Sequence, residues 1–301
     1  MSSSTDRTSD NPREFTMRHG ASSNGSADAI IFLHLPKTAG TTLNRLIEWE
    51  YSLGEMYSVD PVLFEWSYAR LRRLSKRRLR KTRMFKGHML FGLHEVLPQP
   101  ATYITVLRDP VERVLSAFYF MRSYKLHPLY WKFRNERWTV DEFVQRSSRD
   151  NVQCKVIANA HYHSPCTQEV LDRAIDHLNN YFSVVGLSER FEESLALMKL
   201  RFGWQLNSYS SFNVTRARPK KGDLPQATLD LIAEKNRFDV ALYQHAVRLF
   251  ESAVSPHQAE VSRIARELED ARKRSQGSFE ATLFSVRAAV RKAINRAYSA
   301  I

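Results

Sequence analysis

The chain has 301 residues, a formal net charge of +13 and only two cysteines, Cys154 and Cys166. That length fits one large domain with appendages and an ordinary buried core, and so few cysteines exclude a disulfide scaffold and read as unpaired thiols of a reducing compartment. The positive balance suits an anionic partner: a nucleotide, a charged sugar, nucleic acid or an anionic membrane surface.

Residues 1–27 are rich in Ser, Asn, Gly and charge without apolar periodicity, which predicts a disordered tail. They carry no apolar core of a secretory signal, and no stretch reaches the roughly 20 apolar residues that span a bilayer. The expectation is a soluble, cytoplasmic protein. The organising stretch is Ile30 to Leu43, IIFLHLPKTAGTTL. A buried apolar run ends at Pro36-Lys37, passes through Thr38, Ala39, Gly40, Thr41 and Thr42, and continues with Leu43, Leu46 and Ile47 at helical spacing. Strand, small-residue turn and helix N-terminus together seat an anion, because unpaired N–H groups and the helix dipole both favour negative charge.

Residues 60–82 read as helical, and from Arg70 to Lys86 ten of seventeen residues are Lys or Arg with no acid among them. This is either a solvated helix face or a docking strip for an anionic acceptor; the run has no aromatic residue of its own before Phe85, which argues against stacking on single-stranded nucleic acid. Met84 to Lys86 predict a short strand, with Gly87 turning the chain so that His88 stands at its end. ATYITVL, 101–107, predicts a buried strand. Asp109 is a good N-cap, Pro110 suits the first helical position and Glu112 completes a capping box, so a second strand-to-helix junction carries Arg108 and, further along, Ser116.

Residues 124–138 are aromatic and basic and predict an irregular insertion or lid. Helices follow from Thr139, over 167–180, over 189–201, and at about 225–235 and 237–252; YFSVVG, 181–186, predicts a strand. His161, His163 and the two cysteines lack zinc spacing, so no metal is expected. A basic loop runs from Asn213 to Lys221. Beyond Pro256 the chain reads as a helical extension, 255–301, whose last segment, 278–301, is basic, amphipathic and a candidate for peripheral membrane contact. The domain proper is placed at 28–254. Strands alternating with helices predict an α/β fold: a mainly parallel sheet covered on both faces.

Two strand-to-helix junctions in one parallel sheet place their ligand groups on the same edge. That suits a nucleotide with phosphates at two separate places. Lys37 precedes the small residues rather than following them, so the first junction is not a Walker A loop, which speaks against the alternative reading as a nucleotide-dependent kinase. A non-catalytic binder of polyanions or membranes would explain the charge and leave both junctions idle.

FLHLPKTAGTTL together with VLRDPVERVLSAFYF resembles the two donor-binding motifs of the sulfotransferases. FKGH, VVGLSERFEESL and NRFDVALYQHA resemble the branch of the heparan sulfate 2-O- and 6-O- and uronyl 2-O-sulfotransferases. The likeness covers about residues 29–252. It implies a P-loop-like three-layer fold and the donor 3′-phosphoadenosine 5′-phosphosulfate, without a metal. It further implies that Lys37 meets the bridging oxygen of the phosphosulfate, that Thr38 to Thr42 cradle the 5′ side, that Arg108 and Ser116 hold the 3′-phosphate, and that His88 is the base. His94 is the rival base, and His34 is read as orienting the loop. Arg216 corresponds more loosely to a residue of a segment that closes over the donor. The acceptor implied is a hydroxyl of a carbohydrate or glycolipid. The missing membrane anchor and added tail set the chain apart from Golgi members and imply a soluble, bacterial-type relative.

Overall fold

A computed structural model describes residues 29–60, 64–125, 130–147, 149–206 and 221–275. The tail 1–27, Arg216 and the segment 278–301 lie outside them. Five strands form one sheet in the order β2-β3-β1-β4-β5, and all pairings are parallel: β1 is Ala29–Leu33, β2 Met56–Val59, β3 Met84–Gly87, β4 Ala101–Leu107 and β5 Phe182–Leu187. β1 is central, buried along its whole length, and sits between β3 and β4. Runs such as AIIFL and ATYITVL are apolar on both sides because helices cover both faces of the sheet.

Side chains on β3 show the two layers directly. Lys86 points to one face, where it meets α1 (Gly40–Glu50). On the other face Tyr57 of β2, paired with Phe85, sends its hydroxyl to the Ser67 carbonyl of α2 (Phe64–Arg73). The single helix expected over 60–82 is two: α2, then α3 (Lys76–Lys81), separated at Ser75, whose hydroxyl accepts the Arg78 N–H at 3.2 Å. The strand β2 was not anticipated; MYSV is short and its middle residues are only half-buried.

The chain continues through α4 (Pro110–Ser123), α5 (Tyr130–Asn135), α6 (Val140–Arg146), α7 (Val152–Ile157), α8 (Gln168–Tyr181), α9 (Phe191–Phe202), α10 (Gln226–Lys235), α11 (Arg237–Val254) and α12 (Gln258–Ser275). Within the expected irregular insertion, α5 is regular. Its Phe133, with Trp138 beyond it, packs on Val114 and Phe118 of α4 and Phe143 of α6, a satellite core beside the sheet. α12 buries Val261, Ile264 and Leu268 in the main core, so the helical segment after Pro256 shares the core of the sheet domain.

β1 and β4 are neighbours, yet the chain leaves β1 towards β2 on one side and leaves β4 towards β5 on the other. Such a switch point opens a crevice at the carboxyl ends of the two strands. Thr105 of β4 closes its base by donating to the Leu33 carbonyl at 2.9 Å.

Candidate active site

The crevice is built first from the turn after β1. Lys37 (φ 70°) and Ala39 (φ 63°) are both left-handed, on either side of Thr38. Left-handed backbone costs a residue with a side chain about 1–2 kcal/mol, and its alternation with right-handed backbone turns successive N–H groups towards one anion. Thr38, buried, anchors the turn by donating its hydroxyl to the Leu35 carbonyl at 3.0 Å. Ala39 is the N-cap of α1 and offers no side-chain oxygen, and no acid stands in the first turn. The helix N-terminus is therefore left for an anion from outside the helix. Thr41 and Thr42 begin α1 beside it.

Gly40 is required by what lies beneath it. A Cβ there would come within 2.0 Å of the His34 ring. That ring lies in a stack, 5.2 Å from Phe32 and 4.0 Å from His88. Burial first, then the nearby His88, Lys86 and Lys37 charges, hold the His34 imidazole well below its usual range, so it is neutral at pH 7. The ring thus lies directly beneath the turn at Gly40.

His88 is delivered to the same place from β3. Gly87 has φ 149°, and a Cβ would stand 2.3 Å from the Val59 carbonyl oxygen, so the turn there demands glycine. His88 Nδ1 lies 2.8 Å from the His34 carbonyl oxygen. A carbonyl only accepts, so Nδ1 carries the proton and Nε2 keeps its lone pair. Burial lowers the His88 pKa, with the hydrogen bond to His34 opposing it. The imidazole is thus neutral, with its basic nitrogen defined. His94, the rival base, is engaged elsewhere: Nδ1 is 2.9 Å from the Tyr103 hydroxyl, and its ring contacts Phe91 and Tyr181.

Lys86 was overlooked in the sequence, where it reads as one more cation of the basic run. It is buried, and Nζ donates to Glu48 Oε1 at 2.6 Å and Asn44 Oδ1 at 3.0 Å. The pair locks β3, two residues before His88, against the helix that starts at the cradle.

The second junction meets the first directly. Arg108 Nη1 donates to the Lys37 carbonyl at 3.2 Å, and Nη2 to Glu112 at 3.1 Å. The capping box is only half formed: Asp109 accepts from the Glu112 N–H at 2.9 Å, but the Glu112 carboxylate goes to the guanidinium, a stronger charge-assisted partner. Glu189 takes the vacated role, accepting from the Asp109 N–H at 3.1 Å while lying 3.9 Å from Arg108 Nε. A phosphate at this mouth must share Arg108 with two carboxylates.

Glu112, Ser116 and Phe120 are spaced by four along α4 and so share one face. That face looks on the first turn, because Lys37 Nζ sits 4.0 Å over the Phe120 ring. Ser116, buried, is therefore on the crevice side. Gln153 of α7 is a further contributor that the sequence did not reveal. Its amide clamps the backbone of Arg108, accepting from the N–H and donating to the carbonyl, both at 2.9 Å. It lies 45 positions away in a stretch whose only visible signal was cysteine and histidine. Among the described residues no three His, Cys, Asp or Glu side chains converge as metal ligands.

The structure thus brings Lys37 to Thr42, His88 and Arg108 together at the end of β1, with Ser116 two turns into α4 on the face that carries Glu112 and Phe120. A family model described as galactose-3-O-sulfotransferase matches residues 5–295. The mouse galactose-3-O-sulfotransferase 3 is 25% identical over 273 residues, covering 82% of this chain and 62% of that protein. The mouse galactosylceramide sulfotransferase is 30% identical over 212 residues, 63% of this chain and 47% of that protein. A Xenopus laevis heparan sulfate 2-O-sulfotransferase is 27% identical over 193 residues, 56% of this chain and 53% of its own. The chain spans less than two thirds of the length of the first two relatives. The sulfotransferase resemblance holds, but the branch differs from the one expected: the family model is that of the galactose-3-O-sulfotransferases, and the heparan sulfate 2-O-sulfotransferase is a more distant relative. Two strand-to-helix junctions meet at a switch point, and a family model that covers nearly the whole chain places it in the galactose-3-O-sulfotransferase family.

Proposed function

We propose that the chain transfers a sulfuryl group from 3′-phosphoadenosine 5′-phosphosulfate to a hydroxyl of a galactose-type carbohydrate or glycolipid. The observation that carries this reading is the convergence on β1: Arg108 donates to the Lys37 carbonyl, and His88 to the His34 carbonyl. Two anion-binding groups and a neutral base stand around one crevice.

The residues fit the donor. The left-handed turn and uncapped helix N-terminus suit its 5′ side, with Lys37 to Thr42 as the cradle. Arg108 and Ser116 suit the 3′-phosphate. His88 Nε2 takes the proton of the acceptor hydroxyl as that oxygen attacks sulfur in line. The bond from sulfur to the bridging oxygen breaks, and its electron pair leaves with the phosphate. Lys37, leaving the Phe120 ring, neutralises the negative charge gathering on that oxygen. Galactose as the acceptor sugar rests on family membership and on the names of the relatives. Arg216 remains a proposed donor contact from the sequence alone.

Calorimetry with 3′-phosphoadenosine 5′-phosphate tests the donor site. Tight binding is expected, and Arg108→Ala should weaken it by about tenfold or more, the loss of one charge-assisted bond of roughly 1.5–3 kcal/mol. No binding to the parent protein would refute the reading.

A further inference from the structure

The basic strip is not absorbed by the donor site. Helical spacing puts Trp66, Arg70 and Arg73 on one stripe of α2, with Arg72 beside it. Trp66 is 50% exposed, and the Arg70 guanidinium stands 5.4 Å over its ring. On α3, Lys76, Arg77, Arg80 and Lys81 all face solvent, while Leu79 is buried and Arg78 turns back to the Gly54 carbonyl. Arg83, exposed, follows at the end of the helix and pairs with Glu55 at 3.6 Å. Glu65, at the first turn of α2, is an acid on this surface, as are Glu55 beside Arg83 and Glu95 across the cleft from Arg72.

We propose that the α2–α3 face docks on an anionic lipid bilayer. Clustered cations around an exposed indole match what an interface offers: anionic headgroups for the guanidinium and ammonium groups, and a headgroup-level seat for tryptophan. One exposed indole among these cations suits a lipid interface better than a strand of nucleic acid, which would need several aromatic platforms along a channel. The same helix contributes Tyr68 and Arg72 to a cleft whose other wall is Phe91 and Glu95, on the segment that begins at His88, with Asn159 beyond α7. Docking through α2 would therefore bring the bilayer surface, and any sugar standing on it, beside that segment.

The test is co-sedimentation of the full chain at physiological salt. One set of vesicles contains phosphatidylglycerol and phosphatidylcholine in equal parts, the other phosphatidylcholine alone. Binding to the anionic vesicles only is expected. Each cation near such a surface is worth about fivefold in partitioning, so Lys76→Glu, Arg77→Glu, Arg80→Glu and Lys81→Glu together should reduce it by roughly a hundredfold or more. Trp66→Ala should reduce it several-fold with every charge kept. All five positions are exposed, and unchanged turnover of a water-soluble galactoside would confirm that the variants are folded. Binding that survives the fourfold reversal, equal binding to neutral vesicles, or tighter binding to heparin or single-stranded RNA than to anionic vesicles at equal charge would overturn the proposal.

Discussion

A protein carrying His88→Ala is expected to bind 3′-phosphoadenosine 5′-phosphate as the parent does and to turn over about 10²–10⁴-fold more slowly, the usual worth of a positioned general base. The separation follows from the geometry. His88 reaches the crevice from β3 and meets His34, beneath the Lys37 turn, by a hydrogen bond and a ring stack. Removing it leaves the Lys37 turn, α1 and Arg108 in place. The pH profile supplies a second readout. Burial holds the His88 pKa below the usual 6.5, so Nε2 is unprotonated at neutral pH and the rate falls only as pH drops through the lowered value. The acidic limb of kcat/KM should thus have its midpoint below 6.5, and it should vanish from the residual rate of His88→Ala. A midpoint above that value, or full turnover without the imidazole, would move the base elsewhere. The same shift affects stability. The unfolded chain binds a proton on His88 more readily than the folded one, so its contribution is complete above the unfolded pKa and is lost as pH falls towards the folded one.

Asp239→Ala is expected to cost about 3–5 kcal/mol of stability, because it strands a buried guanidinium. Arg113 of α4 and Asp239 of α11 are 3% and 0% exposed at the side chain and lie 3.6 Å apart. The Asp239 carboxylate also accepts the Gln153 and Cys154 N–H groups, at 3.2 and 2.7 Å, capping α7. Asn151 returns the favour to α11, accepting from the Phe238 and Asp239 N–H groups at 3.0 and 3.1 Å. Asn236 joins the two by accepting from the Asn151 N–H at 3.0 Å. For a domain of this size the loss should lower Tm by roughly 6–20 °C. Arg113→Met in the same chain should recover part of it, since removing both charges spares the unpaired one. The effect should also reach the donor site, because α7 carries the Gln153 clamp on Arg108. A destabilisation under about 1 kcal/mol, the scale of an exposed pair, would mean that the network is not held as described.

These two predictions differ in how far the sequence foretold them. His88 stood out because strand, glycine and histidine occur in a short run beside a donor motif. Local pattern was enough for β1, β4 and α4, and for the Gly87 turn that puts His88 at the end of β3. The Asp239 network was not legible. Its partners lie on helices separated by more than eighty positions, and each residue alone reads as an ordinary helix-start residue. Lys86 shows the same limit from the other side. A cation within a basic run looks solvated until a carboxylate on another element comes within 2.6 Å of it. Glu112 was assigned to a local capping box, but a guanidinium four positions earlier outcompeted the backbone. The stretch 60–82 read as helical throughout, and the break appears only in the structure, where the Ser75 hydroxyl caps α3. The sulfotransferase family followed from two local motifs, while the branch did not, because those two motifs alone do not separate the galactose-3-O- from the heparan sulfate branch.

The most direct test of the central claim is transfer of labelled sulfate from 3′-phosphoadenosine 5′-phosphosulfate to a galactose-terminated glycoside by the purified chain. The account predicts label on the galactose residue, and its loss with Lys37→Ala and with His88→Ala. Label transferred equally well by both variants, or bound donor that never gives up its sulfuryl group to any galactoside or galactolipid offered, would contradict it.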